Sequence, residues 1–79
     1  MTYHLFEEVV LLVDITEKGL KKGDVVAIVE HHPVTDGEDG YSLEAFNALG
    51  ETIAVFTVSE SANEPLTENE IFSVRSLTA

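Results

Sequence analysis

The chain has 79 residues with a mass of 8.6 kDa, enough for a single small domain over residues 1–79 but not for a deep substrate cleft. Its 4 Lys and Arg against 15 Asp and Glu give a formal net charge of −11, which disfavours direct binding to nucleic-acid phosphates because that affinity needs clustered basic side chains. The absence of Cys excludes disulfides and thiolate chemistry, and a hydrophobic content of 44% is too high for a disordered acidic tail.

The first predicted element is a strand over residues 8–14. Its sequence, Glu8-Val9-Val10-Leu11-Leu12-Val13-Asp14, is rich in β-branched residues and bounded by charge, which is typical of a buried strand. The apolar run from Val9 to Val13 is far shorter than the roughly 20 residues that a membrane-spanning helix needs. No basic segment precedes an apolar stretch at the N-terminus, so we expect a cytoplasmic protein that does not contact membranes.

The next predicted elements are a loop and a second strand. Residues 15–24 are mostly polar and contain Gly19 and Gly23, while Ile15 and Leu20 are available to pin the segment onto the core. This pattern indicates a structured loop. Residues 25–30 return to the β pattern, and the strand is expected to end at His31-His32-Pro33 because proline cannot donate to a central ladder. The acidic residues 34–40 contain two Asp-Gly pairs, which favour turns.

The second half of the chain predicts a hairpin and a final strand. Residues 41–46 place Tyr, Leu and Ala on one face of a strand and Ser, Glu and Phe on the other, and residues 51–58 are largely apolar. Residues 47–50 are predicted to form the turn between these two strands. Thr67 and Glu70 have capping-box spacing, which predicts a helical turn, and residues 71–77 follow as the last strand. Five short strands with one short helical turn before the last predict an all-β fold, a small closed or partly open barrel. A small α+β sheet that packs a single helix is the alternative.

Several stretches resemble a known family. They are Val9-Val10-Leu11-Leu12, Gly19-Leu20-Lys21-Lys22-Gly23-Asp24-Val25, Ile28-Val29-Glu30, Tyr41-Ser42-Leu43-Glu44-Ala45-Phe46, Gly50-Glu51-Thr52-Ile53-Ala54-Val55 and Thr57-Val58. Together they are similar to an uncharacterised family of very short bacterial proteins, frequent in cyanobacteria, of the DUF4926 type. The resemblance implies a five-stranded SH3-like barrel without catalytic residues. It also implies a co-encoded small protein as partner, in an antitoxin-like arrangement.

The residues that could carry chemistry do not form a recognisable site. His31 and His32 are followed by Asp36, Glu38 and Asp39, but adjacent residues in a strand point to opposite faces, which argues against one shared metal ion. Residues 36–40 lack the ligand spacing of a calcium loop. No nucleophile motif and no phosphate-binding loop is present. We therefore expect neither a metal nor a cofactor, and no enzymatic activity.

The charge is unevenly distributed along the chain. Residues 23–74 contain 11 acidic residues and no Lys or Arg. This pattern serves either to keep a small β protein soluble and its sheet edges apart, or to form a docking surface for a basic partner. If Leu43 and Ala45 face inward with Tyr41, Phe46 points outward, whereas alternation does not decide Phe56. These rings either close the ends of the barrel or form the apolar centre of a binding patch.

The sequence thus favours a non-enzymatic interaction module, monomeric or a small homo-oligomer, that binds a basic protein partner. The candidate partner-binding residues are Glu44, Phe46, Glu51, Phe56 and Glu60. One alternative function is a small auxiliary subunit that stabilises a larger enzyme. Another is an acidic nucleic-acid mimic, which would occupy the nucleic-acid site of another protein.

Overall fold

A computed structural model describes residues 3–77. Within this range the secondary structure consists of β-strands and two 3₁₀ turns, without an α-helix. The strands are β1 (Glu8–Leu11), β2 (Val25–His32), β3 (Gly40–Phe46), β4 (Thr52–Ser59) and β5 (Asn63–Pro65), and the turns are Thr16–Lys18 and Glu60–Ala62. The prediction of an all-β fold with five strands and a short helical turn before the last strand is confirmed.

The five strands form one antiparallel sheet in the order β4-β3-β2-β1-β5. A bulge shifts the register between Ile28 and Glu30 of β2, and such bulges bend a strand. The sheet is not closed, because β4 and β5 are its two edges and do not pair with each other. Closure into an SH3-like barrel therefore stays a prediction.

The core lies on one face of this bent sheet. Alternate residues of the central strands point into it, as the period of two requires. The strand residues of this core are Val9, Leu11, Val26, Ile28, Tyr41, Leu43 and Ala45. Leu20 joins them from the loop after the first 3₁₀ turn, where it bridges to Ile15. The predicted structured loop is thus anchored to the core by these two apolar side chains.

Tyr3 connects strands on the two sides of the core. Its hydroxyl donates a hydrogen bond of 2.8 Å to the carbonyl oxygen of Asn63 in β5. Its backbone N–H donates one of 3.2 Å to the hydroxyl of Tyr41 in β3, and the two rings pack edge to face with centroids 5.2 Å apart. Side-chain contacts therefore join β5 to β3, which are not neighbours in the sheet.

The predicted positions of the last helical turn and the last strand were wrong. Thr67 and Glu70 do bond to each other as a capping box would, with the Thr67 N–H donating to Glu70 Oε1 at 2.6 Å, but they form only an isolated turn. Ile71 and Val74 are more than nine-tenths exposed, at 91% and 96%, and residues 71–77 form no strand. The outer edge of β1 pairs with β5, which follows the second 3₁₀ turn directly, so this edge is not available to residues 71–77.

The observed end of the first strand also differs from the predicted one. The first strand was predicted to reach Asp14 but ends at Leu11, and the next residue, Leu12, donates its N–H to Ala62 in the second 3₁₀ turn. The second strand continues through His32 and stops before Pro33, within the His31-His32-Pro33 stretch where its end was predicted. The two histidines therefore belong to the sheet.

Candidate partner-binding surface

The β3–β4 hairpin exposes apolar side chains at its turn and on the outer face of the sheet. Phe46, Leu49, Ile53 and Val55 are exposed at 42%, 86%, 38% and 55%; we call these four residues the hairpin patch. Val55 lies opposite Glu44 in the register, on the face away from the core. The prediction that Phe46 points outward when Tyr41, Leu43 and Ala45 point inward is confirmed.

Two of the predicted glutamates flank the hairpin patch and are held by local hydrogen bonds. Glu44 Oε2 accepts a short hydrogen bond from Thr52 Oγ1. Glu51 Oε1 accepts one of 2.8 Å from Asn47 Nδ2 inside the turn. Because each carboxylate is fixed by a neighbour on the opposite strand or in the turn, the patch has an ordered acidic border.

The other two predicted residues lie elsewhere. Phe56 faces Leu43 in the register and packs half-buried against the core. Glu60 lies in the 3₁₀ turn at the far end of β4, where Oε1 accepts a hydrogen bond of 3.2 Å from the Tyr41 hydroxyl. The structure therefore brings together Glu44, Phe46 and Glu51, whereas Phe56 and Glu60 mark the core side and the other end of β4.

The two histidines have separate surroundings. His31 stacks on the ring of Tyr41 with centroids 4.8 Å apart, and its Nε2 lies 2.7 Å from Asp39 Oδ2. The hydrogen bond from His31, together with that from the Val34 N–H, lowers the pKa of Asp39. His32 instead contacts the hydroxyl of Ser42 at 2.8 Å. Across residues 3–77, no group of three or more His, Cys, Asp or Glu side chains could hold a metal ion.

Sequence reasoning missed the C-terminal segment as part of this surface. A groove of about 620 Å³ separates the hairpin turn from this segment, with Phe46, Leu49 and Ile53 on one side and Ile71 and Phe72 on the other. The groove has two exposed apolar walls and opens to solvent. The alternation of residues 71–77 suggested a strand, so their exposure as a wall could not be read from the sequence.

Arg75 holds this segment against the domain. Its Nε donates to Asp24 Oδ1 at 2.9 Å, and its Nη2 donates to Asp24 Oδ2 and to the carbonyl of Gly19. The hydrogen bonds from Arg75 to the carboxylate lower the pKa of Asp24. The sequence marks this residue only by its isolation, since Arg75 is the single Lys or Arg after Lys22.

The comparison with protein families decides what the chain is related to. The model of the family described as "Domain of unknown function (DUF4926)" matches residues 5–64, from before β1 into β5. The chain belongs to the DUF4926 family. No curated protein and no solved structure matches it.

The DUF4926 match covers one wall of the groove and not the other. The hairpin patch lies inside the matched residues 5–64, whereas the C-terminal wall at Ile71 and Phe72 lies outside them. The family description carries no activity, so it adds no catalytic residue to this DUF4926 domain. None of the helical elements in residues 3–77 has the length and hydrophobicity of a membrane span.

Proposed function

We propose that this DUF4926 domain is a non-catalytic interaction module that binds a basic protein partner, encoded beside it, through the hairpin patch. The observation that carries the proposal is the exposure of Phe46, Leu49, Ile53 and Val55 next to the carboxylates of Glu44 and Glu51. Exposed apolar side chains bordered by charge are the usual anatomy of an interface, in which the apolar centre supplies affinity and the polar rim is hydrated.

The charge of the chain supports a basic partner over a neutral one. Between residues 23 and 74 no Lys or Arg balances the 11 acidic residues, and the guanidinium of Arg75 is engaged by Asp24. The three lysines lie at positions 18, 21 and 22, in the loop between β1 and β2. A surface of one sign accelerates the approach of an oppositely charged protein, and salt screens this effect over about 10 Å at 0.1 M.

The test compares charge reversal at the patch with charge reversal elsewhere. The double variant E44K and E51K should weaken binding of the purified co-encoded basic protein by about tenfold or more, which corresponds to roughly 1.4 kcal/mol. The control, E17K and E68K, makes the same change of charge at two exposed residues outside the patch and should weaken binding much less. Equal affinities for the two double variants, measured by titration calorimetry, would contradict the proposed site.

A second variant tests the apolar centre separately. Replacing Phe46 by Ser removes the largest outward side chain of β3 without touching the core residues Tyr41, Leu43 and Ala45. Truncation of an aromatic residue at the centre of an interface commonly costs about 2 kcal/mol or more. Unchanged binding of F46S would show that only electrostatic attraction operates, which the proposal does not allow.

A further inference from the structure

The edge of the sheet beside the hairpin patch is formed by β4. We propose that β4 receives an extended basic segment of the partner as an additional antiparallel strand. This inference rests on the proposed function and specifies how the partner binds. Strand addition of this kind uses main-chain hydrogen bonds for affinity and alternate side chains for specificity.

The backbone of β4 is available for pairing. Among the described residues, β4 pairs with β3 alone and stands at the end of the strand order. In an antiparallel pair, the N–H and C=O groups of alternate residues point away from the partner strand, and on an edge they have no ladder to join. An eight-residue strand such as β4 therefore offers the N–H and C=O groups of every second residue to an incoming segment.

The sequence of β4 lacks the features that normally protect an edge. Residues 52–59 read Thr-Ile-Ala-Val-Phe-Thr-Val-Ser, with no charged residue and no proline. The register of β4 shifts only near the start of the strand, between the residues that pair with Phe46 and Ala45 of β3, and the later pairs are regular. The opposite edge differs, since β5 has only three residues and ends at Pro65. Short edge strands and prolines block strand addition, so β4 is the edge left open to it.

The carboxylates around β4 select the charge of the incoming segment. Glu51 precedes the strand and Glu60 follows it; nine residues of extended chain place them about 30 Å apart. Glu44 lies between them on the neighbouring strand, opposite Val55. A segment of matching length with basic residues at both of its ends fits this arrangement.

The same arrangement disfavours a second copy of this chain as the occupant. Antiparallel pairing of β4 with β4 of another copy would bring Glu51 of one copy towards Glu60 of the other at both ends of the pair. Like charges opposite each other destabilise a strand pair, and each copy carries a net charge of −11. A basic partner is attracted at the same positions.

The core side of β4 would gain from an added strand. Ala54, Phe56 and Val58 pack against the core but are only half-buried. A neighbouring strand would place its inward side chains beside them and remove apolar surface from water, which is favourable at about 25 cal/mol per Å². Phe56 would then contribute to binding from the core side, whereas Val55 contributes from the outer face.

The experiment uses the full chain and two synthetic peptides. The first has two lysines at each end and alternating valine and threonine between them, about ten residues in all. In the control peptide each valine is replaced by proline, which keeps the charge but removes N–H donors. The readouts are the affinity of each peptide and the hydrogen-exchange rates of individual β4 amides, measured by NMR. We expect the valine peptide to bind about tenfold or more tightly than the proline peptide, and to slow exchange of those β4 amides that face away from β3.

Strand addition can fail in this experiment while the proposed function stands. Equal binding of both peptides without protection in β4 would overturn strand addition, while docking of a basic partner on the acidic surface would stand. Protection at β5 in place of β4 would overturn it as well. So would protection of β4 amides in the free protein at concentrations where sedimentation shows a dimer, because the edge would then pair with a second copy. Binding of neither peptide would count against strand addition, and the co-encoded protein would still test the proposed function.

A matched pair of variants tests the edge itself. Val55→Lys places a charge on the outer face of β4, and lysine is a residue that natural edge strands use against pairing. Val74→Lys makes the same change at a residue that is 96% exposed in the C-terminal segment. We expect the valine peptide to lose about tenfold in affinity for V55K and severalfold less for V74K. Equal losses for the two variants would indicate a charge effect alone and would overturn strand addition.

Discussion

The carboxylate of Asp24 is bound in a bidentate manner by the guanidinium of Arg75, although 51 positions of sequence separate the two residues. Asp24 directly precedes β2, and Arg75 lies in the exposed C-terminal segment. The parallel pair of hydrogen bonds matches the planar fork of arginine to the two carboxylate oxygens. This contact therefore sets the position of the segment that forms the second wall of the groove.

Replacing Arg75 by Gln should release the C-terminal segment. We expect faster proteolysis between residues 66 and 77 and a rise of the Asp24 pKa towards its usual value near 3.8, because the largest cause of its lowered pKa is the hydrogen bond from Arg75. NMR titration of the Asp24 carboxyl measures the second effect. Lys22→Gln is the control, since Lys22 is an exposed cation whose backbone N–H, and not its side chain, donates to Asp14.

The same contact gives a pH dependence with a definite sign. The pKa of Asp24 is lower in the folded protein than its usual value of 3.8, so the ionised form favours folding. Its contribution is present above pH 3.8 and is lost as the pH falls through the lowered value. Urea midpoints of the wild type and R75Q should therefore differ at neutral pH and converge in acid below 3.8. A difference that persists unchanged in strong acid would contradict this assignment.

Tyr3 and Tyr41 predict a loss of stability at alkaline pH. Burial raises the pKa of both phenols above 10.0, and the nearby carboxylate of Glu60 adds to the shift. The stabilising contribution of the protonated phenols is complete below pH 10 and is lost as the pH rises through the raised values. Tyr3→Phe should cost about 1 kcal/mol at pH 7, because the bond to the Asn63 carbonyl is lost. It should also make unfolding less sensitive to pH above 10, as measured by urea unfolding; an unchanged alkaline transition would contradict the role of Tyr3.

Truncation of Leu43 should lower the stability of the fold, whereas truncation of Leu49 should weaken binding. Leu43 is fully buried in the core, whereas Leu49 is 86% exposed in the turn. Leu43→Ala should destabilise the fold by about 2–5 kcal/mol, a large part of the stability of so small a domain. Leu49→Ala should change it by less than about 0.5 kcal/mol while weakening binding at the hairpin patch. Chemical denaturation measures both, and comparable losses of stability would mean that the assigned core is wrong.

Asn63 should be replaceable by an apolar residue with a gain in stability. The residue is 3% exposed, and neither Nδ2 nor Oδ1 of its side chain has a hydrogen-bond partner among residues 3–77. A buried polar group without a partner costs about 1–3 kcal/mol, while the backbone carbonyl that binds Tyr3 does not depend on the side chain. Asn63→Leu should therefore raise the free energy of unfolding by about 1 kcal/mol. The exposed Asn69, replaced in the same way, is the control; a lower midpoint for N63L alone would contradict the prediction.

The sequence indicated the strands wherever alternation and β-branched residues act locally. Tyr41, Leu43 and Ala45 were expected on one face and Phe46 on the other, and the structure has them so. The same rule failed for residues 71–77, where alternation predicted a strand that has no neighbour to pair with. A strand needs both a pattern and a free edge, and only the fold shows which edges remain free.

For the candidate site, the sequence alone supplied the residue types and the excess of negative charge, because composition does not depend on contacts. It left the side of Phe56 undecided and did not place the C-terminal segment. The register of β3 and β4 put Phe56 on the core side, and the Asp24–Arg75 pair brought a distant segment to the groove. These positions follow from pairings between residues far apart in the chain, which local periodicity does not encode.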